Sequence, residues 1–393
     1  MQKLDRSLHL RARTYLRAED CDVADLATLC EAATDLADYP LVARVEKGVL
    51  IYDCPALLPR LADPAFTETL MAEWADAFQN GPGVLVLQGA EPDTAMIDRA
   101  SDIFRDLIAQ QNAAGTGGGD HFAKPGANDR LWNSLEKHCL ADPANFARYY
   151  ANPFLALVSQ AWLGPYYQMT AQLNVVNPGG AAQSPHRDYH LGFQSAQAVA
   201  RYPAHIHAFS PMLTLQGAIA HVDASIEAGP TLLLPHSQKY PAGYLATANP
   251  AFRTYFDSHA VQLPLKKGDM LFFSPALFHA AGTNQTKDVK RMVNLFQVSS
   301  AYGRAMESIN RTAMCKALYP ALLSANLTET QTANAIAATA EGYSFPTNLD
   351  RDPPIGGLAP KSQAALMHEA LAARWSPEAF NAALDAQAAK RLP

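Results

Sequence analysis

The sequence has few cysteines, little net charge and no long apolar run. Its five cysteines among 393 residues are scattered and form no Cys-x-x-Cys pair, which argues against a disulfide framework or a cysteine zinc site and favours a reducing compartment. A formal net charge of −6 gives no basis for a nucleic-acid or anionic-membrane partner. No apolar run reaches the ~18 residues of a membrane span, and the charged opening segment does not resemble a signal peptide. We therefore expect a cytoplasmic protein that acts on a small molecule.

The composition is that of a globular protein, with 49% hydrophobic and 17% charged residues. At this length the chain can bury a substantial core in one elaborated domain or two. The pattern of segments predicts an N-terminal helical extension over residues 1–80, a core over 81–304 and a C-terminal helical extension over 305–393. The terminal helices carry no chemical motif, so packing on the core or contact between subunits of a homo-oligomer is their expected role.

Helical periodicity and short β-rich runs occupy different parts of the chain. Helical pattern covers most of residues 19–80, 93–110 and 130–162, and it returns after Ser300. The predicted strands are 49–52, 84–87, 168–176, 213–222, 231–234, 259–265, 269–274 and 292–299. Short strands separated by Gly, Pro and Asn turns are typical of a double-sheet jelly roll, a fold that houses metal sites in its mouth. The predicted fold class is α+β, with a jelly-roll core between helical extensions.

The most informative stretch contains His186 and Asp188, which project from the same face of an extended strand and can reach one metal ion. A third ligand is expected about ninety residues on, at His279, where an apolar run launched by a Gly-Asp turn ends. Two histidines and one carboxylate, with coordination positions left open, are the donors of non-haem Fe(II) oxygenases. A zinc hydrolase could use the same donors.

The stretch after His279 distinguishes these classes. A polar turn leads to Lys290 and Arg291 at the start of a β-rich run, where a guanidinium could hold a dicarboxylate co-substrate in bidentate fashion. Over roughly residues 81–300 the chain resembles the phytanoyl-CoA dioxygenase family. The likeness is strongest at the His186/Asp188 pair, at His279 and in the segment 284–291.

This resemblance implies Fe(II), 2-oxoglutarate and O2 as cofactor and co-substrates, and it suggests further contacts to 2-oxoglutarate. In the family, amide side chains near Gln172 and Asn174 help to hold the co-substrate, although a buried hydrogen-bonded pair is an equal alternative here. Thr283 is a weaker candidate. Ungapped counting from His279 places Lys290 at the family's arginine position, whereas a loop longer by one residue places Arg291 there. We expect Arg291, because its fork matches a carboxylate and its neighbour points to the opposite face.

The sequence therefore predicts an Fe(II)- and 2-oxoglutarate-dependent dioxygenase that hydroxylates or otherwise oxidises a small or medium organic substrate and releases succinate and CO2. The carboxylate at Asp188 favours hydroxylation, because related halogenases have a small residue there. The alternatives are a metal-dependent hydrolase or isomerase on a cupin-type barrel and a non-catalytic ligand-binding member of the fold. Two segments should border the site: a glycine-rich lid at 115–119 and a long loop from about 192 to 210.

Overall fold

The computed structural model describes residues 2–115 and 127–392. The chain divides into two compact units, each assembled from separate chain segments. The described parts of the first unit are residues 2–90, 127–129 and 174–293, and those of the second are 91–115, 130–173 and 294–392. Apart from Gly115, the predicted glycine-rich lid lies outside the described residues.

The secondary structure of the described residues mixes helices and strands. The helices are α1 (Gln2–Thr14), α2 (Val23–Cys30), α3 (Cys54–Leu57), α4 (Pro64–Gln79), α5 (Thr94–Ala113), α6 (Ser134–Ala141), α7 (Pro143–Tyr150), α8 (Pro153–Leu163), α9 (Ala196–Val199), α10 (Ala204–Phe209), α11 (Gly243–Ala246), α12 (Pro250–His259), α13 (Arg311–Ser324), α14 (Glu329–Thr339), α15 (Gln363–Ala372) and α16 (Pro377–Arg391). The strands are β1 (Arg44–Glu46), β2 (Val49–Asp53), β3 (Val84–Gln88), β4 (Asn128–Leu131), β5 (Gln168–Val176), β6 (Thr214–Ala220), β7 (Leu232–Leu233), β8 (Met270–Phe273), β9 (His279–Ala280) and β10 (Arg291–Ser299).

The first unit contains a mixed sheet in the order β1-β2-β3-β8-β6. Strands β2 and β3 are parallel, and the other neighbours are antiparallel. Valine and leucine dominate β2 and β3 because both faces of these strands are covered. Gly83 allows β3 to begin here, because its φ is +77° and an added Cβ would lie 2.4 Å from the Gln238 side chain. With helices beside this mixed sheet, the class is α+β, as predicted.

A second, two-stranded sheet pairs β7 with β9 and sets Leu233 opposite His279. An apolar core joins side chains of the two sheets in one cluster, with Val84, Val86 and Phe273 from the mixed sheet and Leu233 from β7. Because β9 carries the third predicted metal ligand, the packing of this core fixes where that ligand stands. The backbone of His279 is thus placed by hydrophobic burial rather than by a local turn alone.

The second unit is largely helical. Prolines 143 and 153 stand in the first turns of α7 and α8, where a missing N–H costs nothing. Arg311 is buried at the start of α13, where it donates to the carbonyl oxygens of Thr339 (3.1 Å) and Met169 (3.0 Å) and pairs with Glu341 at 3.0 Å. These contacts tie α13 to the end of α14 and to β5 within this unit.

Two local predictions were wrong. Residues 259–265 do not form a strand, because α12 continues to His259 and only Val261 and Leu265 make isolated bridges. Pro264 in that run has no N–H to donate to a ladder. The segment 192–210 is not simply a loop, since it contains α9 and α10.

No helix within residues 2–115 and 127–392 has both the length and the apolar character that crossing a bilayer requires. The five cysteines are all unpaired thiols, as the scattered spacing predicted.

Candidate metal centre

His186 and His279 face each other across an antiparallel backbone bridge. The amide of His186 donates to the carbonyl of His279 at 3.0 Å, and the return hydrogen bond is 3.2 Å. The two imidazole centroids lie 4.4 Å apart. Two residues further on, the amide of Asp188 donates to the carbonyl of Pro275 at 3.0 Å. The backbone therefore brings the three predicted ligands together, although they are distant in sequence.

The side chains of the three residues converge. Asp188 Oδ1 lies 3.7 Å from His186 Nε2, and Asp188 Oδ2 lies 3.5 Å from His279 Nε2. One ligand atom from each residue lies within 4.8 Å of the other two. Asp188 and His279 are buried, whereas His186 is partly exposed and leaves one side of the cluster accessible.

Both imidazoles are held in the tautomer that a metal requires. The Nδ1 atoms of His186 and His279 each lie 2.9 Å from a backbone carbonyl oxygen, of Ser184 and Leu277 respectively. A carbonyl only accepts, so each Nδ1 carries a proton and each Nε2 is the ring nitrogen that faces the carboxylate of Asp188. A positive charge on this side of the rings, either a proton on Nε2 or a metal ion between the three residues, stabilises the carboxylate. The donor set therefore fits a divalent metal ion.

Gln216 on β6, which the sequence analysis did not single out, completes the surroundings of Asp188. Its buried side-chain Nε2 donates a short hydrogen bond to Asp188 Oδ2. Burial raises the pKa of Asp188, but the neighbouring His279 and His186 and this amide together lower it well below its usual range. The carboxylate is thus ionised at neutral pH. The sequence could have pointed to Gln216, because this polar residue lies within the otherwise largely apolar strand β6.

Arg187 supports the motif from the opposite face of the same segment. Its guanidinium donates to the carbonyl of Ser237 at 2.5 Å and lies 4.9 Å from the ring of Phe278 and 5.3 Å from that of Tyr244. Burial lowers the pKa of Arg187 to about 10. An added Cβ at Gly243 would lie 1.9 Å from the guanidinium carbon, so glycine is needed for this close approach.

Arg291 and Lys290 have different environments. Lys290 is exposed, whereas Arg291 is buried at the start of β10. Within the described part of the chain, Arg291 Nε has no hydrogen-bond partner and no carboxylate pairs with the guanidinium. Burial lowers the pKa of Arg291 to about 10. A buried cation without a protein anion is the environment expected of an anion-binding residue.

The other predicted co-substrate contacts differ from one another. Asn174 is buried, and its Oδ1 has no hydrogen-bond partner among the residues described. Gln172 is buried but engaged, because its Oε1 accepts from Arg130 at 2.8 Å and its Nε2 lies 2.8 Å from the sulfur of Met306. Thr283 is exposed, and its hydroxyl accepts from the amide of Ala182 at 3.0 Å. Asn174 therefore has a free acceptor, whereas Gln172 fits the alternative of a buried hydrogen-bonded residue.

The comparison with protein families identifies the class. The model described as "Phytanoyl-CoA dioxygenase (PhyH)" matches residues 65–292, more than half of the chain. The chain therefore belongs to the phytanoyl-CoA dioxygenase family, and the resemblance predicted from the motifs is confirmed.

Individual relatives are more distant. The chain is 31% identical over 172 residues to the iron/alpha-ketoglutarate-dependent dioxygenase ausU of Aspergillus calidoustus. That match covers 43% of this chain and 48% of the relative, so it spans about half the relative's length. Among solved structures, the alpha-ketoglutarate-dependent epimerase SnoN from nogalamycin biosynthesis is 18% identical, with a TM-score of 0.40 over 61% of this chain and 85% of its own. EvdMO1 is 17% identical, with a TM-score of 0.42 over 58% of this chain and 50% of its own.

Proposed function

We propose that the protein is an Fe(II)- and 2-oxoglutarate-dependent dioxygenase that hydroxylates or otherwise oxidises a small or medium organic molecule, releasing succinate and CO2. The observation that carries this proposal is the convergence of the two imidazole Nε2 atoms on the carboxylate of Asp188. Membership of the phytanoyl-CoA dioxygenase family and the name of the curated relative support it.

In this proposal His186, Asp188 and His279 hold Fe(II). Iron with 2-oxoglutarate supplies the oxidising chemistry when both are bound. The chain's own contribution is geometry: Arg291 binds the distal carboxylate of 2-oxoglutarate through its guanidinium fork, and the Asn174 amide lies available as a second polar contact. Gln216 keeps the Asp188 carboxylate in one orientation.

We also propose that the fold is a jelly roll with helical extensions over residues 1–80 and 305–393 flanking a core over 81–304. The apolar cluster that joins the mixed sheet to β7 supports this, because two packed sheets with a shared core define the fold. A cytoplasmic location is proposed from the unpaired cysteines.

The rival functions are a metal hydrolase and a non-catalytic binding protein. Arg291 favours the oxygenase over the hydrolase, because a hydrolytic metal site does not need a buried cation reserved for a dicarboxylate. The distinction can be measured directly. Succinate formed from 2-oxoglutarate in the presence of Fe(II) and O2, even without added substrate, identifies the oxygenase.

The triad assignment makes the first prediction. His186→Ala, Asp188→Ala and His279→Ala should each abolish succinate formation, because each removes one of three protein ligands. The melting temperature should change little, since backbone hydrogen bonds hold the bridge. The matched control is His205→Ala, which changes an exposed histidine on α10 and should keep full turnover. Near-wild-type activity with stoichiometric iron in any triad variant would disprove the assignment.

A further inference from the structure

The segment that follows the metal motif, residues 189–213, is nearly uncharged. Arg201 is the only Asp, Glu, Lys or Arg in it, although these residue types form 17% of the chain. Its inner side is firmly packed, because Leu191 and Val199 join Tyr244 and Leu245 in one buried cluster. The segment is therefore a built part of the fold rather than a loose connection.

Its outer side exposes large apolar side chains. Phe193 is 55% exposed, Phe209 48% and Met212 39%, and we call these three residues the apolar patch. Binding sites for small organic molecules are lined mainly by apolar and aromatic side chains. A second copy of the chain is a poor candidate for the occupant, because three half-exposed side chains offer about 300 Å², whereas a stable interface needs roughly 800 Å² per partner.

The apolar patch is connected to the metal motif through Tyr189 and Ser210. The ring of Tyr189, the residue after Asp188, lies 5.3 Å from that of Phe193. The Ser210 hydroxyl donates to the carbonyl of Tyr189 at 3.2 Å and accepts from the amide of His190 at 3.0 Å. Chain geometry therefore puts the Cα of Phe209, the neighbour of Ser210, within about 15 Å of the Cα of Asp188.

Tyr189 also has an unusual backbone conformation. Its φ is +25°, which is uncommon for a non-glycine residue, and the hydroxyl of Tyr244 donates to its carbonyl at 2.9 Å. Together with Ser210, this hydrogen bond holds the chain where it turns from Asp188 towards the patch. Strained residues that are held in this way cluster at functional sites.

We propose that the apolar patch binds the body of the substrate, and that the substrate is a neutral, hydrocarbon-rich molecule, a ring system or a long chain, rather than an amino acid, a nucleotide or another charged metabolite. The inference rests on the proposed function for the position of the reacting centre. It goes further by naming the class of substrate and the residues that select it.

The test uses the full chain loaded with Mn(II) and 2-oxoglutarate, with camphor as a neutral apolar probe. Proton NMR of camphor reports its affinity, and paramagnetic Mn(II) broadens the lines of a probe bound close to the metal, whereas Zn(II) does not. We expect saturable camphor binding, broadening with Mn(II) only, and no comparable binding of lysine. Equal binding of lysine and camphor, or camphor lines unaffected by Mn(II), would overturn the proposal.

Substitutions in the apolar patch test whether camphor binds there. Phe193→Ser and Phe209→Ser should each weaken camphor binding roughly tenfold, as expected when a large apolar contact is lost. Leu58→Ser removes an equally exposed apolar side chain outside the segment and should leave the affinity unchanged. Wild-type affinity in both phenylalanine variants would contradict the proposal, as would a dimer in sedimentation velocity that Phe193→Ser dissociates. If camphor binds as expected but the Fe(II) protein forms no succinate, the role of the apolar patch is supported and the proposed dioxygenase activity is wrong.

Discussion

Arg187 and Arg291 are both buried in the first unit, and burial lowers the pKa of each to about 10, yet their surroundings differ. Around Arg187, a carbonyl oxygen of Ser237 and the rings of Phe278 and Tyr244 receive the guanidinium. The Nε atoms of both arginines lack an acceptor, but around Arg291, within the described residues, no carbonyl oxygen or carboxylate receives the guanidinium.

The difference supports the proposal that the cation of Arg187 stabilises the fold and that the cation of Arg291 binds a ligand. Desolvation of a charge costs several kcal/mol unless protein groups offset it. At Arg187 the Ser237 carbonyl and the two rings offset this cost, so the residue can stabilise the segment between two proposed metal ligands. At Arg291 no such protein group is present within the described residues, so the desolvation cost remains until the proposed dicarboxylate binds.

Removing Arg187 should have the largest effect. Arg187→Met should lower the free energy of unfolding by about 3 kcal/mol, because a charge-assisted hydrogen bond and two ring contacts are lost. Urea denaturation measures this, with Arg187→Lys as a control that keeps the charge but loses the planar fork and should give an intermediate loss. An unchanged denaturation midpoint in Arg187→Met would show that the two arginines do not differ in this way.

Removing Arg291 should weaken co-substrate binding rather than the stability of the fold. Arg291→Ala should raise the 2-oxoglutarate concentration needed for half-maximal succinate formation roughly tenfold or more, because a charge-assisted hydrogen bond worth ~1.5–3 kcal/mol is lost. Its free energy of unfolding should not fall, since a desolvated cation has been removed. Lys290→Ala, at the exposed neighbour, should change neither quantity. The reverse pattern between the two variants would assign the co-substrate to Lys290.

Gln216 tests the surroundings of the metal ligands on the side away from Arg187. Gln216→Leu keeps a buried side chain but removes the donor to Asp188 Oδ2, so the affinity for Mn(II) should fall roughly tenfold. Isothermal titration of the metal-free protein with Mn(II) measures this without turnover. Gln197→Leu, at an exposed glutamine on α9, is the matched control. Equal affinities in the two variants would show that the Gln216 hydrogen bond does not position Asp188.

The smallest effect concerns a buried acid in the second unit. Burial, which outweighs the hydrogen bond from the Asn133 amide, raises the pKa of Glu307 to about 7. Because the pKa is higher in the folded protein than the ordinary 4.5, the stabilising contribution is present below pH 4.5 and is lost as the pH rises through 7. Glu307→Gln should therefore raise the melting temperature at pH 8 by roughly 2 °C and leave it nearly unchanged at pH 4.5. Melting curves that shift equally at both pH values would contradict this.

The pairing of His186 with Asp188 was predictable because it depends on a short-range rule, whereas His279 was expected from its residue type and from the resemblance to the family. Residues two apart on a strand share a face, so His186 and Asp188 required no knowledge of the rest of the fold. The side chains of Lys290 and Arg291 were expected on opposite faces for the same reason, because successive residues of a strand alternate between its two faces. Their assignments as metal and co-substrate ligands stay predictions until the variants above are measured.

The roles of Gln216 and Arg187 could not be predicted, because they depend on contacts with residues that are distant in the sequence. Gln216 matters only because β6 lies beside the Asp188 segment, and Arg187 only because Ser237 and two rings surround it. Helices α9 and α10 were missed because they are too short for a clear period, and packing of Val199 stabilises the segment instead. The strand predicted at 259–265 does not form, because α12, which buries Phe252 and Phe256, continues to His259.

The backbone bridge between His186 and His279 has a consequence for the metal that the protein acquires in a cell. Its two hydrogen bonds hold the two histidines beside each other through the backbone. A set of two imidazoles and a carboxylate follows the Irving–Williams order, in which nickel, copper and zinc bind more tightly than ferrous iron. Iron occupancy therefore depends on cellular supply rather than on selectivity of the site, and protein isolated from an expression host should carry the divalent metal that was most available there.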